Sequence, residues 1–132
     1  MRAQLEAFPG SSADLLRLVI TTMGNFVMTS DRVVLPRLVL AEAANFPALA
    51  EFWRREIIAR GLALFTGIIE RGMARGEFRT VKPEHAARLC VAPLLIILLW
   101  RTTFAQFDEE PYDYETLIQT HLETLLEGLK AP

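Results

Sequence analysis

The chain has 132 residues, enough for one domain with a real core and too few for two. Apolar residues make up 52% and the mean hydropathy is +0.25, a surplus that points to surface covered by a partner. A net charge of −2 and a pI of about 5.7 argue against a chain that grips DNA by neutralising phosphates, and a single cysteine, Cys90, rules out a disulfide framework and favours a cytoplasmic setting.

The N-terminus lacks the charged start, apolar stretch and cleavage site of a signal peptide, and none is read there. Residues 1–10 form a polar, proline-containing lead-in that ends at Pro9-Gly10. Ser11 or Ser12 caps a helix to about Met28, with Leu15, Leu16, Val19, Ile20, Met23, Phe26 and Val27 at helical spacing. Ser30-Asp31 opens a second helix that ends near Asn45, and Pro36 lies near its start. At Asn45-Phe46-Pro47 the next helix begins with almost no loop. Asn45 or Phe46 can cap it, and Pro47 suits a first turn that needs no amide donor.

The third helix is the longest, from Pro47 to about Ala74. One stripe carries Leu49, Trp53, Ile57, Leu64 and Ile68; another carries Ile58, Leu62, Phe65, Ile69 and Met73. A helix apolar on two sides is expected to be central. Gly61 implies either a close helix approach or a local kink. Arg71-Gly72 and Arg75-Gly76 mark the stop. Pro83 starts a fourth helix with a polar opening (Glu84, His85, Arg88), apolar all round from Leu89 to Trp100 and predicted to kink at Pro93. A membrane span needs roughly 20 apolar residues, and this shorter run reads as a core helix. Phe107 to Pro111 is an acidic loop. Asp113 caps a last helix bearing Tyr114, Leu117, Ile118, Leu122, Leu125 and Leu129, which stops at Gly128 or just beyond. With no strand-like alternation and no repeat, the fold class is all-α, a bundle of five to six helices.

The fourth helix has more apolar surface than one neighbouring layer can cover, and the last helix carries a second apolar stripe. Pairing both with the same helices of another copy, in an intermolecular four-helix bundle, is the simplest way to bury them. Pro93, Ile97, Ile118, His121, Leu122 and Leu125 are the expected homodimer contacts.

Leu38-Val39-Leu40-Ala41-Glu42-Ala43, Phe46-Pro47-Ala48-Leu49, Ile69-Glu70-Arg71-Gly72, Gly76-Glu77-Phe78-Arg79, Pro83-Glu84-His85-Ala86-Ala87-Arg88 and Leu125-Leu126-Glu127-Gly128-Leu129 follow one another in order. Together, over roughly residues 12–130, they resemble the C-terminal regulatory domain of TetR/AcrR-type transcriptional regulators. The resemblance implies a dimeric all-helical sensor. In that family an N-terminal helix-turn-helix domain binds operator DNA, the C-terminal domain binds a small molecule between its helices, and the last two helices pair. No helix-turn-helix domain is found here. Residues 1–10 read as the remainder of a connecting helix and 11–132 as the regulatory domain, which implies a fragment of a repressor that meets DNA only through a domain it does not contain.

Met23, Phe26, Trp53, Ile57, Phe65, Met73, Trp100 and Phe104 are large, adaptable apolar groups. Each is either ordinary core or wall of a pocket for an apolar effector. A closed void lined by Phe65, Trp53 and Trp100 would favour sensing; a solid core would favour a structural dimerisation module without ligand. Arg54, Arg55 and Arg60 read as a solvated face beside Glu51 and Glu56. Arg17 and Thr21 read as exposed, and His121 as an interface histidine. Cys90 reads as an inert core thiol. No metal-ligand spacing, phosphate loop or nucleophile arrangement is present, so no metal, cofactor or enzymatic activity is expected.

Overall fold

The computed structural model describes residues 2–132; residue 1 of the lead-in lies outside them. Helix α1 spans Arg2–Ala7 and α2 spans Ser12–Thr29. A 3₁₀ turn at Asp31–Val33 leads into α3, Val34–Glu42. Helix α4 is Pro47–Trp53, and a π turn at Arg54–Ile58 carries the rod on into α5, Ala59–Ala74. Helix α6 is Pro83–Leu99; it continues through a π turn at Trp100–Phe104 and a 3₁₀ turn to Phe107. Helix α7 is Tyr114–Leu129. The architecture is all-α, as the patterning predicts.

The helix starts follow local chemistry. Ser11 and Asp14 make a reciprocal capping box at α2, each satisfying an amide of the other's turn. Pro47 and Pro83 sit in the first turns of α4 and α6, where no amide donor is required. The Asp113 carboxylate accepts the Thr116 hydroxyl and the Thr116 amide, and these bonds hold its pKa below the usual carboxylate range. At the end of α5 Gly76 takes a left-handed φ of 71°, and the amides of Glu77 and Phe78 turn back onto the Gly72 carbonyl at 2.8 and 3.1 Å.

Helices α2, α5, α6 and α7 enclose one core. Leu16, Ile20, Phe65, Ile68, Ile69, Ala87, Cys90 and Ile97 have no exposed surface. Helix α5 is central, as its two apolar stripes predict, packing on both α2 and α6. Gly61 plays neither part expected of it: nothing lies within 4 Å of where its side chain would stand, and α5 is regular through it. The irregularity of the rod is the π turn before it. Pro93 lies inside α6, which runs on to Leu99.

Cys90 is fully buried, and burial pushes its thiol pKa up to about 12. The native state therefore keeps its proton at pH values where an unfolded thiol, with a pKa of roughly 8.5, has lost it. Between about pH 9 and 12 the folded chain binds more protons than the unfolded one, so stability falls as pH rises, by at most about 1.4 kcal/mol per pH unit. Urea melts at pH 8 and pH 10 check this: the decline should be smaller in Cys90→Ala, and native Cys90 should resist thiol reagents until the chain unfolds.

Candidate functional site: the outer face of α6 and the α3–α4 arm

Two exposed apolar regions and one mixed groove stand out on the surface. The first region is a stripe along α6. Leu89 and Ile96 are 64% and 56% exposed, and Pro93 and Trp100 stand on the same side of the helix, one or two turns apart. A groove of about 630 Å³ runs beside the stripe against α7, with Leu89, Ala92, Pro93, His121 and Leu125 in its walls. A second, of about 210 Å³, continues at Ile96, Trp100, Tyr114 and Leu117. The smaller one lies below the roughly 300–1,000 Å³ of a small-molecule pocket and fits a side chain better. His121 reaches across the seam, its Nε2 donating to the Cys90 carbonyl at 3.0 Å.

The expected dimer contacts divide on this geometry. Pro93, His121 and Leu125 are half-buried and line the outer groove. Ile97, Ile118 and Leu122 are 0%, 3% and 1% exposed. These three are corrected to core positions, because each points inward from a helix whose neighbours already cover it. The outer face belongs instead to Leu89 and Ile96, which periodicity does not single out in a helix apolar on every side.

The second region is the arm formed by α3 and α4. Val34, Leu35, Leu38, Leu40, Phe46, Leu49 and Phe52 are all more than 40% exposed. The arm meets the body at the end of α6. Arg37 Nε donates to the Thr103 hydroxyl at 3.3 Å, and Arg101 Nη1 donates to the carbonyls of Val27 and Ser30, both at 3.1 Å. Arg101 thus places a cation on the C-terminal carbonyls of α2, where the helix dipole favours it. The Trp100 and Phe104 rings pack at 5.1 Å, and Trp100 Nε1 donates to Asp108 at 2.8 Å. The Tyr114 hydroxyl is enclosed without a partner; burial and then the Asp108 carboxylate push its pKa up.

The expected pocket residues also divide. Phe65 belongs to the solid core. Met23 is half-buried against that core and Trp53 is half-buried at the end of α4. Phe26, Ile57, Trp100 and Phe104 are 43%, 50%, 39% and 49% exposed. The closed void is corrected accordingly: with Phe65 sealed and Trp100 open, the two do not share an enclosed space. Trp53 and Ile57 flank or enter one π turn, and Trp100 and Phe104 bound the other. Such turns widen a helix and gather at functional sites. No one-dimensional signal marks them.

The third feature is a groove of about 1000 Å³ between α1 and α5, where Leu5, Ile58 and Leu62 alternate with Arg54, Glu70 and Arg88. Arg55 and Arg60 pair with Glu51 and Glu56 on the outside of the rod, and Arg17 is exposed, as expected of solvated charges.

A family profile described as the C-terminal domain of tetracyclin repressor-like proteins matches residues 10–113. The chain belongs to the TetR-like C-terminal domain family. No curated protein and no solved structure matches it. TetR-like C-terminal domains are, in general, the ligand-binding and dimerisation parts of transcriptional regulators, and their fold is non-enzymatic. In this TetR-like domain the match runs from the N-cap of α2 to that of α7, covering both the α3–α4 arm and all of α6.

Proposed function

We propose that the chain is the effector-sensing and homodimerising domain of a TetR-like repressor in the cytoplasm, controlling DNA binding by an N-terminal domain outside this sequence. The observation that carries the reading is the outer face of α6, where Leu89 and Ile96, with the half-buried Pro93 between them, form a stripe that the subunit leaves largely uncovered. A second copy laid on α6 and α7 buries it and seats side chains in the two seam grooves. The helix from Pro83 to Phe107 is long and apolar enough to cross a bilayer, yet Ala86, Ala87, Cys90, Leu94, Ile97 and Leu98 on its inner side are already packed in the core. That favours a protein partner over lipid.

The effector is an apolar small molecule held where the arm meets the end of α6, beside Phe26, Trp100 and Phe104. It acts by differential affinity: whichever arrangement of arm and body it binds better becomes more populated. The fully packed Phe65 favours one competing reading, a dimerisation module with no ligand.

Sedimentation at micromolar concentration should give twice the 14.9 kDa chain mass, and a stable monomer would overturn the assembly reading. Native mass spectrometry of freshly purified protein, with titration of a neutral apolar dye, separates the two dimeric readings. A retained molecule or saturable dye binding supports sensing; a clean dimer that binds neither supports the module.

A further inference from the structure

The polar cluster at the start of α2 belongs neither to the seam nor to the arm. Arg71 is a charged side chain only 5% exposed, and it faces the α1–α2 junction rather than a carboxylate. Its Nη2 donates to the carbonyls of Phe8 and Gly10, both at 3.0 Å, and its Nη1 donates to the Ser12 hydroxyl at 2.9 Å. The Ser12 hydroxyl donates to Glu77 Oε1 at 3.1 Å, and the Ser12 amide donates to Glu77 Oε2 at 2.7 Å. Arg75 Nε stands 3.2 Å from the same carboxylate. The Arg71 charge is therefore balanced by Glu77 through one fully buried serine.

Three more contacts extend this cluster, one toward the N-terminus and two toward the C-terminus. Toward the N-terminus, Leu5 rests on Gly67 of α5, close enough that any side chain there would touch its Cδ1 at 2.8 Å. Helix α1 is docked on α5 through Leu5, and the segment that follows it is held by the Arg71 clamp on the Phe8 and Gly10 carbonyls. Toward the C-terminus, the Arg79 amide donates to the Leu129 carbonyl at 2.8 Å and the Ala131 amide to the Glu77 carbonyl at 3.3 Å. Phe78 and Lys130 thus form a short antiparallel bridge. The turn at 76–79 holds the start of α2 with its Glu77 side chain and the end of α7 with its backbone.

We propose that α1 is a releasable latch and that the Glu77 turn relays its docking to the C-terminal end of α7. Releasing the latch draws the Phe8 and Gly10 carbonyls off Arg71, which slackens the Arg71–Ser12–Glu77 chain and loosens the backbone that grips Leu129 and Ala131. Loosening that grip in turn weakens the hold on Ser12. Thermodynamic linkage requires the effect to run both ways. The inference stands on the subunit alone and does not need the dimer.

Residue-resolved amide exchange on the intact chain tests it by disturbing one end and reading the other. Leu5→Ala trims the latch without touching the turn. It should raise exchange at Phe8 and Ser12 and, through Glu77, at Arg79 and Ala131, by about tenfold, with Ile20, Ile69 and Leu94 unchanged. Ala131→Pro removes the far donor and should raise exchange at Ser12. Arg79 and Ala131 unmoved in Leu5→Ala, or Ser12 unmoved in Ala131→Pro, would overturn the relay. A parallel rise at the three core amides would overturn the latch, since α1 would then be part of the cooperative core.

Discussion

Ile97→Glu should abolish folding, whereas Ile96→Glu should leave a folded monomer. Ile97 has no exposed surface, and its side chain is enclosed by the core. An unpaired carboxylate there costs about 3–5 kcal/mol, a large share of the roughly 5–15 kcal/mol that holds an ordinary domain together. Ile96 is 56% exposed, so its glutamate remains in water within one subunit. In a two-fold pair the same change places two carboxylates in the apolar seam, one from each copy. Circular dichroism and sedimentation separate the outcomes. Ile97→Glu should lose helicity or solubility; Ile96→Glu should keep its helices and drop to the 14.9 kDa chain mass at micromolar concentration. Two dimeric, folded variants would show that α6 faces neither way as described.

Phe65→Ala should lower stability by about 3–5 kcal/mol, seen as an earlier urea midpoint with an unchanged slope. The ring is the largest side chain with no exposure, and its removal leaves a void that helices held on several sides cannot close. Trp100→Ala is the contrasting change. At 39% exposure its ring contributes less to the fold, but it packs on Phe104 beside the arm. The loss there should be in saturable binding of an apolar dye, with thermal stability little moved. If the effects were exchanged, Phe65 would line the effector site and Trp100 would be core.

The two pairs mark how far the sequence could be read. Helix starts were legible because their signals are local: the Ser11–Asp14 box, Pro47, Pro83 and Asp113 stand where the helices begin. The two stripes of the third helix placed it centrally, and the structure agrees for α5 but not for the α4 end, where Leu49, Ile57 and Ile58 are exposed. Facing was legible only where polar residues alternate with apolar ones. Along α6 every side chain from Leu89 to Trp100 is apolar, so nothing distinguishes Ile96 from Ile97, and the tertiary contacts decide. The inward turn of Ile118 and Leu122 was hidden because the α7 stripe serves the core and the seam on adjoining sides. The π turns at Arg54–Ile58 and Trp100–Phe104 leave no mark in the apolar spacing, which fits a regular helix equally well. Arg71 read as a stop signal, because a cation near a helix end ordinarily is one; only its distant partners Phe8, Gly10 and Ser12 reveal the clamp.

Pro93 gives the α6 face a chemical demand as well as a shape. A proline nitrogen has no hydrogen to give, so the Leu89 oxygen four positions back forgoes the bond that a regular helix would supply. Leu89 is among the most exposed side chains on that face, and water can reach its turn in an isolated subunit. A copy that shuts water out must bring a donor of its own to that oxygen or accept the cost of leaving it bare, about 1–3 kcal/mol. A purely oily match is therefore penalised, and the registers that deliver an N–H or O–H at that height are selected from among those that merely fit.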